Sequence, residues 1–361
     1  MQEKMRVAAV GVGRMGFFHA LHVQEHSHER GDCELVAVVD RFEDLAAQVA
    51  ARLQPGQESK IHSFTDVEDL LDSGLADGAV IASRTDHHES DARPFINAGL
   101  RVLLEKPLTW PLESAREFAA FLDLDSQRQK GLMQAFMRRF DAPLQHVRET
   151  VQQGKIGTPF KIVSILEDPG PPPDGYNSAG LLIDMSVHNI DEIIWISGAE
   201  PTEVTALGSK LYNQKNTSVK EDADDGLMQL WFRTDLAGHV IVTRNHVAGY
   251  RNETYVYGDE GLIHLGGYQE DPLKVVFEAY DQNGIIEKRD FRMRDYSSHD
   301  DVPVFVERFG PAYKAQFAHY VDCCRSGEPF TVTHKDGLRA LIVAEAGKRS
   351  MRTKGSGIPI E

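Results

Sequence analysis

The feature that most constrains the fold lies at the start of the chain, where the apolar run of residues 6–10 breaks into Gly11-x-Gly13-x-x-Gly16 and an amphipathic stretch follows over 15–26. Glycines placed between a strand and a helix point to a dinucleotide turn. Gly11 permits the tight turn, Gly13 lets a pyrophosphate approach backbone N–H groups at the helix start, and Gly16 lets helix pack on strand. An ordinary glycine-rich turn is the alternative, and the next apolar run argues against it because it closes on an acid, Asp40. A carboxylate there accepts hydrogen bonds from the adenosine ribose and repels a 2′-phosphate, which favours NAD. Arg41 beside it offers a guanidinium for that phosphate, so NADP remains the second choice.

The alternation continues. Residues 34–40, 78–82 and 101–104 predict strands, with a further one near Ile61, and 42–53, 66–73 and 88–97 predict the helices between them. A long helix over 111–129 then leads to a sixth parallel strand at 132–135, which closes a first domain at 1–135. Beyond Pro143 the rhythm changes. A helix to about 153, a strand at 160–166, a loop at 167–180 and a helix at 181–197 precede seven β-rich runs between 202 and 292, and helices return at 311–325 and 335–352. The expectation is an α/β chain: a Rossmann domain, then an α+β domain at 136–334 built on a mostly antiparallel sheet. The polar stretch 213–225 is expected to be an exposed loop.

A length of 361 residues suits two domains. With 39 Lys and Arg against 55 Asp and Glu, the formal charge of −16 disfavours nucleic acid and anionic lipid. No apolar stretch is long enough for a bilayer, and no signal region opens the chain, so the expectation is a cytoplasmic protein. Three cysteines, Cys33, Cys323 and Cys324, give neither a disulfide framework nor a zinc knuckle. His19, His22, His26 and His28 crowd the first helix, and His22 and His26 have metal-ligand spacing, but no third ligand is evident and no metal is expected.

At the end of the fifth predicted strand stands Glu105-Lys106-Pro107, where open α/β sheets place their ligands. A lysine there can stabilise negative charge on a substrate oxygen. It can equally be a surface lysine before a turn-forming proline. Further on, Asp184 precedes His188 by four residues, which puts both on one face of the predicted helix. That pair is either a surface contact or an acid orienting a base for the proton of an alcohol.

These motifs, in this order, resemble one family: the oxidoreductases typified by glucose-fructose oxidoreductase, inositol dehydrogenase and the rhizopine-catabolism proteins. The resemblance runs nearly end to end. It rests on residues 11–16, on 83–88, on 98–107, on Gly154-Lys155-Ile156-Gly157, on Asp184 and His188, on 258–261, and on Arg308-Phe309 with Ala312-Tyr313. It implies an open-faced sheet domain, a final helix (335–352) folded back on the first domain, and homodimers or homotetramers formed through the sheet. Arg14, Met15, Ser83, His88 and Glu105 join the glycines, Asp40, Arg41 and Lys106 as cofactor contacts. Lys106, Asp184 and His188 become the catalytic set, and Arg138, Asn189 and Tyr250 join them as substrate contacts, although an aromatic beside a sheet is more often simply packed. The segment 136–141 is similar to the inositol dehydrogenase branch, whereas Arg84 and the proline-rich 167–180 depart from it. The implied activity is NAD-dependent oxidation of a ring hydroxyl of a cyclic polyol or pyranose. An NADP-linked ketosugar reductase and a non-enzymatic sugar sensor are the alternatives, and sensors of this fold commonly lose the lysine or the histidine.

Overall fold

The computed structural model describes residues 4–57, 59–170, 179–210, 223–267, 271, 273–293 and 302–360. Two compact units emerge, Met1–Phe136 with Tyr313–Leu338, and Met137–Ala312 with Arg339–Glu361.

In the first unit the short apolar runs become β1 (Met5–Val10), β2 (Cys33–Val39), β3 (His62–Phe64), β4 (Gly78–Ile81), β5 (Arg101–Leu104) and β6 (Leu132–Gln134). All pair in parallel, in the order β3-β2-β1-β4-β5-β6. Val7, Ala8, Val38, Val80 and Leu103 are buried, as parallel strands covered on both faces require. The strand order reverses between β1 and β4, so the crevice for a ligand opens at their carboxyl ends. Helices α1 (Arg14–Arg30), α2 (Glu43–Leu53), α3 (Val67–Asp72) and α4 (His88–Asn97) make the connections.

The helix expected over 111–129 is two helices, α5 (Leu112–Leu122) and α6 (Ser126–Gln129). The break lies at Asp125, whose side chain accepts from Arg128 N and starts a new helix instead of continuing the old one.

The second unit begins with a 3₁₀ turn (Met137–Phe140) and α7 (Ala142–Gln152), followed by β7 (Pro159–Glu167). A π-helical turn, Leu182–Ser186, then runs directly into α8 (Val187–Ser197), so the helix expected at 181–197 is not regular along its length. Eight more strands follow: β8 (Pro201–Ser209), β9 (Asp225–Phe232), β10 (Ala237–Thr243), β11 (Arg251–Gly258), β12 (Leu262–Gly266), β13 (Lys274–Asp281), β14 (Gly284–Arg292) and β15 (Ile358–Pro359). They form one sheet with β7, in the order β14-β13-β12-β11-β7-β10-β9-β8-β15, antiparallel except where β10 runs parallel to β7. One face is covered by helix, with Ser164, Met228 and Val240 buried against it. On the other face Leu207, Leu227 and Trp231 stay 57%, 46% and 43% exposed, on the neighbouring strands β8 and β9.

The last two helices, α9 (Val304–Ser326) and α10 (His334–Arg352), start earlier than the sequence suggested. The final helix is divided between the two units, with its first residues, up to Leu338, in the first. Most of α10 belongs to the second unit, where Gly347 packs on Met228 and Ser350 Oγ accepts from Ala206 N at 2.8 Å. The segment that joins the first unit is Tyr313–Leu338, tied there by Tyr320 Oη donating to Arg101 O at 2.7 Å. The predicted loops at 167–180 and 213–225 fall largely on 171–178 and 211–222, outside the described residues.

Candidate active site

The glycine turn has the geometry its sequence promised, with a different constraint at each position. Gly11 has a φ of 74° and lies so close to Ser83, after β4, that a Cβ would collide with the Ser83 backbone. A Cβ on Gly16 would strike Gly11 O. Gly13, the residue before α1, meets nothing within 4 Å. Two glycines therefore build the turn, and the third leaves a cradle open at a helix N-terminus, which suits a pyrophosphate. Asp40 follows β2 and braces this loop, Oδ2 accepting from Val12 N at 3.0 Å and Oδ1 from Phe42 N at 3.1 Å. Arg14 and Arg41 are exposed and Met15 half-buried. Ser83 Oγ is buried at the same crevice, with no hydrogen-bond partner among the described residues. These residues fit a dinucleotide.

His88 is turned inward. Its Nδ1 lies 2.8 Å from Pro107 O and its Nε2 3.1 Å from Ser83 O, so the ring bridges the turn after β4 and the one after β5. Burial lowers its pKa, and a neutral ring donates to one of these two carbonyls, not to both. It acts on the cofactor crevice through the backbone rather than by pointing into it.

Lys106 follows β5, with Pro107 joined to it by a cis peptide. Beneath it the Glu105 carboxylate is buried. His19 Nε2 lies 2.7 Å from Oε1, and Oε2 accepts from Lys106 N at 3.0 Å. Burial opposes ionisation of Glu105, yet the His19 contact and Lys106 hold its carboxyl below the usual range. His19 is a residue that sequence reasoning left among solvated or packed histidines. Its signal was available: three residues after Gly16, it lies on the face of α1 turned towards the sheet.

In the second unit the π turn carries Asp184 and the first turn of α8 carries His188, which is 8% exposed, and Asn189, which is fully buried. Asp184 Oδ2 accepts from Arg244 Nη2 at 2.8 Å. Asn189 Nδ2 donates to Ser164 Oγ at 2.7 Å, and its Oδ1 has no partner among the described residues. Arg138 meets the same serine and continues into a buried cluster. Its Nη1 reaches Glu192 Oε2 at 2.6 Å and Ser164 Oγ at 3.4 Å, while Glu192 Oε1 accepts from Thr254 Oγ1. Arg139 forks onto Asp191, and Arg308 onto Asp141. Tyr250 is buried beside Arg138 and Arg308, and desolvation raises its phenol well above the ordinary value. The structure thus places Asp184, His188 and Asn189 on one segment, with Arg138 linked to Asn189 through Ser164 Oγ and Tyr250 buried beside Arg138 and Arg308.

The crowded histidines of α1 resolve into packing and hydrogen bonds. His22 stacks on Tyr313, and His26 Nε2 lies 2.8 Å from Asp32 Oδ1. Cys33 is close enough to complete a three-ligand group with His26 and Asp32. An Arg30 guanidinium already lies 2.9 Å from Asp32 Oδ2, and burial pushes the Cys33 thiol up to about 12, which suits an ion-pair cluster better than a cation site.

Comparison with known proteins agrees with this geometry. Residues 5–129 match the family model described as "Oxidoreductase family, NAD-binding Rossmann fold", and residues 144–264 match the "GFO/IDH/MocA C-terminal domain". The chain belongs to this family of NAD-binding oxidoreductases. Among its relatives are a myo-inositol 2-dehydrogenase of Thermotoga maritima, 28% identical over 98% of each chain, and a scyllo-inositol 2-dehydrogenase (NAD(+)) of Bacillus subtilis, 28% identical over 100% of this chain and 97% of that one. A crystal structure of a probable dehydrogenase from Thermotoga maritima superposes with a TM-score of 0.80 at 26% identity, covering 99% of both chains. No described helix is long and apolar enough to cross a membrane.

Proposed function

We propose that this protein oxidises a secondary ring hydroxyl of a cyclic polyol of the inositol type to the ketone, with NAD as the hydride acceptor. What carries the reading is His188, a scarcely exposed imidazole on the segment that also holds the Asp184 carboxylate, in a chain similar over its whole length to inositol dehydrogenases. When bound, the nicotinamide supplies a two-electron acceptor for the hydride leaving carbon. The protein handles the proton and the charge. His188 takes the hydroxyl proton as general base, Asp184 orients the ring and favours the imidazolium that forms, and Lys106 stabilises negative charge developing on the oxygen. Gly11, Gly13, Arg14, Met15, Gly16 and Ser83 hold the dinucleotide, and Asp40 selects against a 2′-phosphate. Asn189 serves as a substrate ligand, while Arg138 and Tyr250 shape the site from behind.

We place the enzyme in the cytoplasm as a homodimer or homotetramer. In support, Leu207, Leu227 and Trp231 form an exposed apolar row on a sheet face that no described helix covers, and Cys33, Cys323 and Cys324 are free thiols. The test is cofactor reduction with NAD or NADP and a panel of inositols, pyranoses and acyclic polyols. Inositol-dependent reduction of NAD, faster than of NADP, is expected. Turnover confined to a ketosugar with NADPH would overturn the reading.

A further inference from the structure

The sequence offered no reason to single out Arg244, yet its guanidinium is what the structure sets against Asp184. The two ends of this ion pair differ in kind. The Arg244 side chain is 4% exposed and the Asp184 side chain 18%, so a buried cation stands behind a carboxylate that solvent still reaches. The mounting of the arginine is unusually well determined. Strands β7 and β10 run parallel with Glu167 opposite Thr243, so both end at the same edge of the sheet. There Arg244 N donates to Asp224 O at 2.9 Å, Thr243 Oγ1 donates to the same carbonyl at 3.0 Å, and Asp168 N and His246 N close a ladder of two more backbone bonds.

Asp184, by contrast, sits in a π-helical turn, where the regular i to i−4 geometry that would fix a side chain relative to His188 is interrupted. Such turns recur at functional sites because they re-aim side chains. A carboxylate there needs an external fixture. A guanidinium provides a directional one, charged at every working pH and unable to act as an acid or base itself.

From this asymmetry we propose that Arg244 is a positioning residue: it holds the Asp184 carboxylate in the orientation in which Asp184 serves the substrate hydroxyl and His188. The inference rests on the polyol-oxidation reading given above. A role exercised through Asp184 means that the loss of Arg244 and the loss of Asp184 must not multiply.

The test is a kinetic double-mutant cycle with Arg244→Met, Asp184→Asn and the double variant, using the inositol and NAD that the wild type turns over. Arg244→Met is expected to raise the KM for polyol and lower kcat, each about tenfold, as partial loss of a positioned acid–base group implies. NADH affinity, measured by the fluorescence of its reduced nicotinamide, stays unchanged, and the double variant is no slower than Asp184→Asn alone. Arg244→Lys restores part of kcat, since it returns the charge without the fork. If Arg244→Met does not fold, Arg244→Lys and its double with Asp184→Asn carry the same comparison. Wild-type kinetics in a folded Arg244 variant, or defects that multiply in full, overturn the proposal and leave the polyol reading intact. A wild type that neither binds nor oxidises any polyol overturns both.

Discussion

At the scale of the residue, the Glu-Lys-Pro triplet shows how much chemistry a single position borrows from its neighbours. Lys106 stands on a backbone whose N–H is held by its own predecessor, and Glu105 is in turn held by His19 from α1. A buried carboxylate anchored at both oxygens is costly to disturb, and here it holds the backbone from which Lys106 projects. Replacing Lys106 by alanine removes the ammonium and leaves Glu105, His19 and the glycine turn untouched. The expected outcome is NAD binding at wild-type affinity with kcat/KM for polyol reduced on the order of 10²-fold or more. Steady-state kinetics beside a cofactor titration check it, and near-normal kcat/KM in a folded, NAD-binding variant removes Lys106 from the reaction.

At the scale of the element, the first βα turn separates glycines that build structure from the one that leaves room for a ligand. Gly16→Ala drives a methyl into Gly11 O and is expected to lower the melting temperature by several degrees along with NAD affinity. Gly13→Ala meets no protein atom within 4 Å, so the variant keeps the wild-type melting temperature in the absence of cofactor and binds NAD at least tenfold more weakly. Differential scanning fluorimetry with and without NAD distinguishes the two; a Gly13→Ala protein with full NAD affinity moves the pyrophosphate elsewhere. This turn was legible because strand period, glycine spacing and the closing acid Asp40 all bear on one local geometry. The division into a parallel sheet and a mostly antiparallel one follows the same logic, since buried parallel strands and half-exposed antiparallel ones write different patterns. What the sequence hid was non-local. The π turn under Asp184 has no compositional mark, the Arg244 contact joins residues sixty apart, and the break at Asp125 depends on one side chain choosing to cap. His88 shows the same limit: the resemblance makes it a cofactor contact, and only the carbonyls of Ser83 and Pro107 show its ring facing inward.

At the scale of the whole molecule, fifteen histidines in a chain of net charge −16 would ordinarily be expected to gain protons readily. Several are instead held neutral by burial. Desolvation lowers the pKa of His88, His26 and His334 in the first unit, and of His239 and His264 in the second, below the ordinary 6.5; at His239 the Lys161 charge acts in the same direction, and at the others desolvation outweighs the acidic neighbours that would raise it. The direction of the consequence follows from proton counting. Below pH 6.5 the unfolded chain protonates these imidazoles while the folded chain does not, so the unfolded state binds more protons and stability falls as pH falls. Above 6.5 both states are neutral at these positions and the contribution is complete. Glu105 acts in the same sense in a more acidic window, because its carboxyl, held low when folded, regains its ordinary value of 4.5 on unfolding. The melting temperature measured between about pH 8 and about pH 5 should therefore be level on the alkaline side and decline once the pH drops through the histidine range. His88→Gln, which keeps an amide donor for one of the two carbonyls but cannot titrate, should be somewhat less stable at neutral pH and show a shallower decline. A melting temperature that is flat or rises on acidification would mean that the buried imidazoles take up protons in place, and the neutral His88 that joins the two turns of the cofactor crevice would have to be redrawn as a cation.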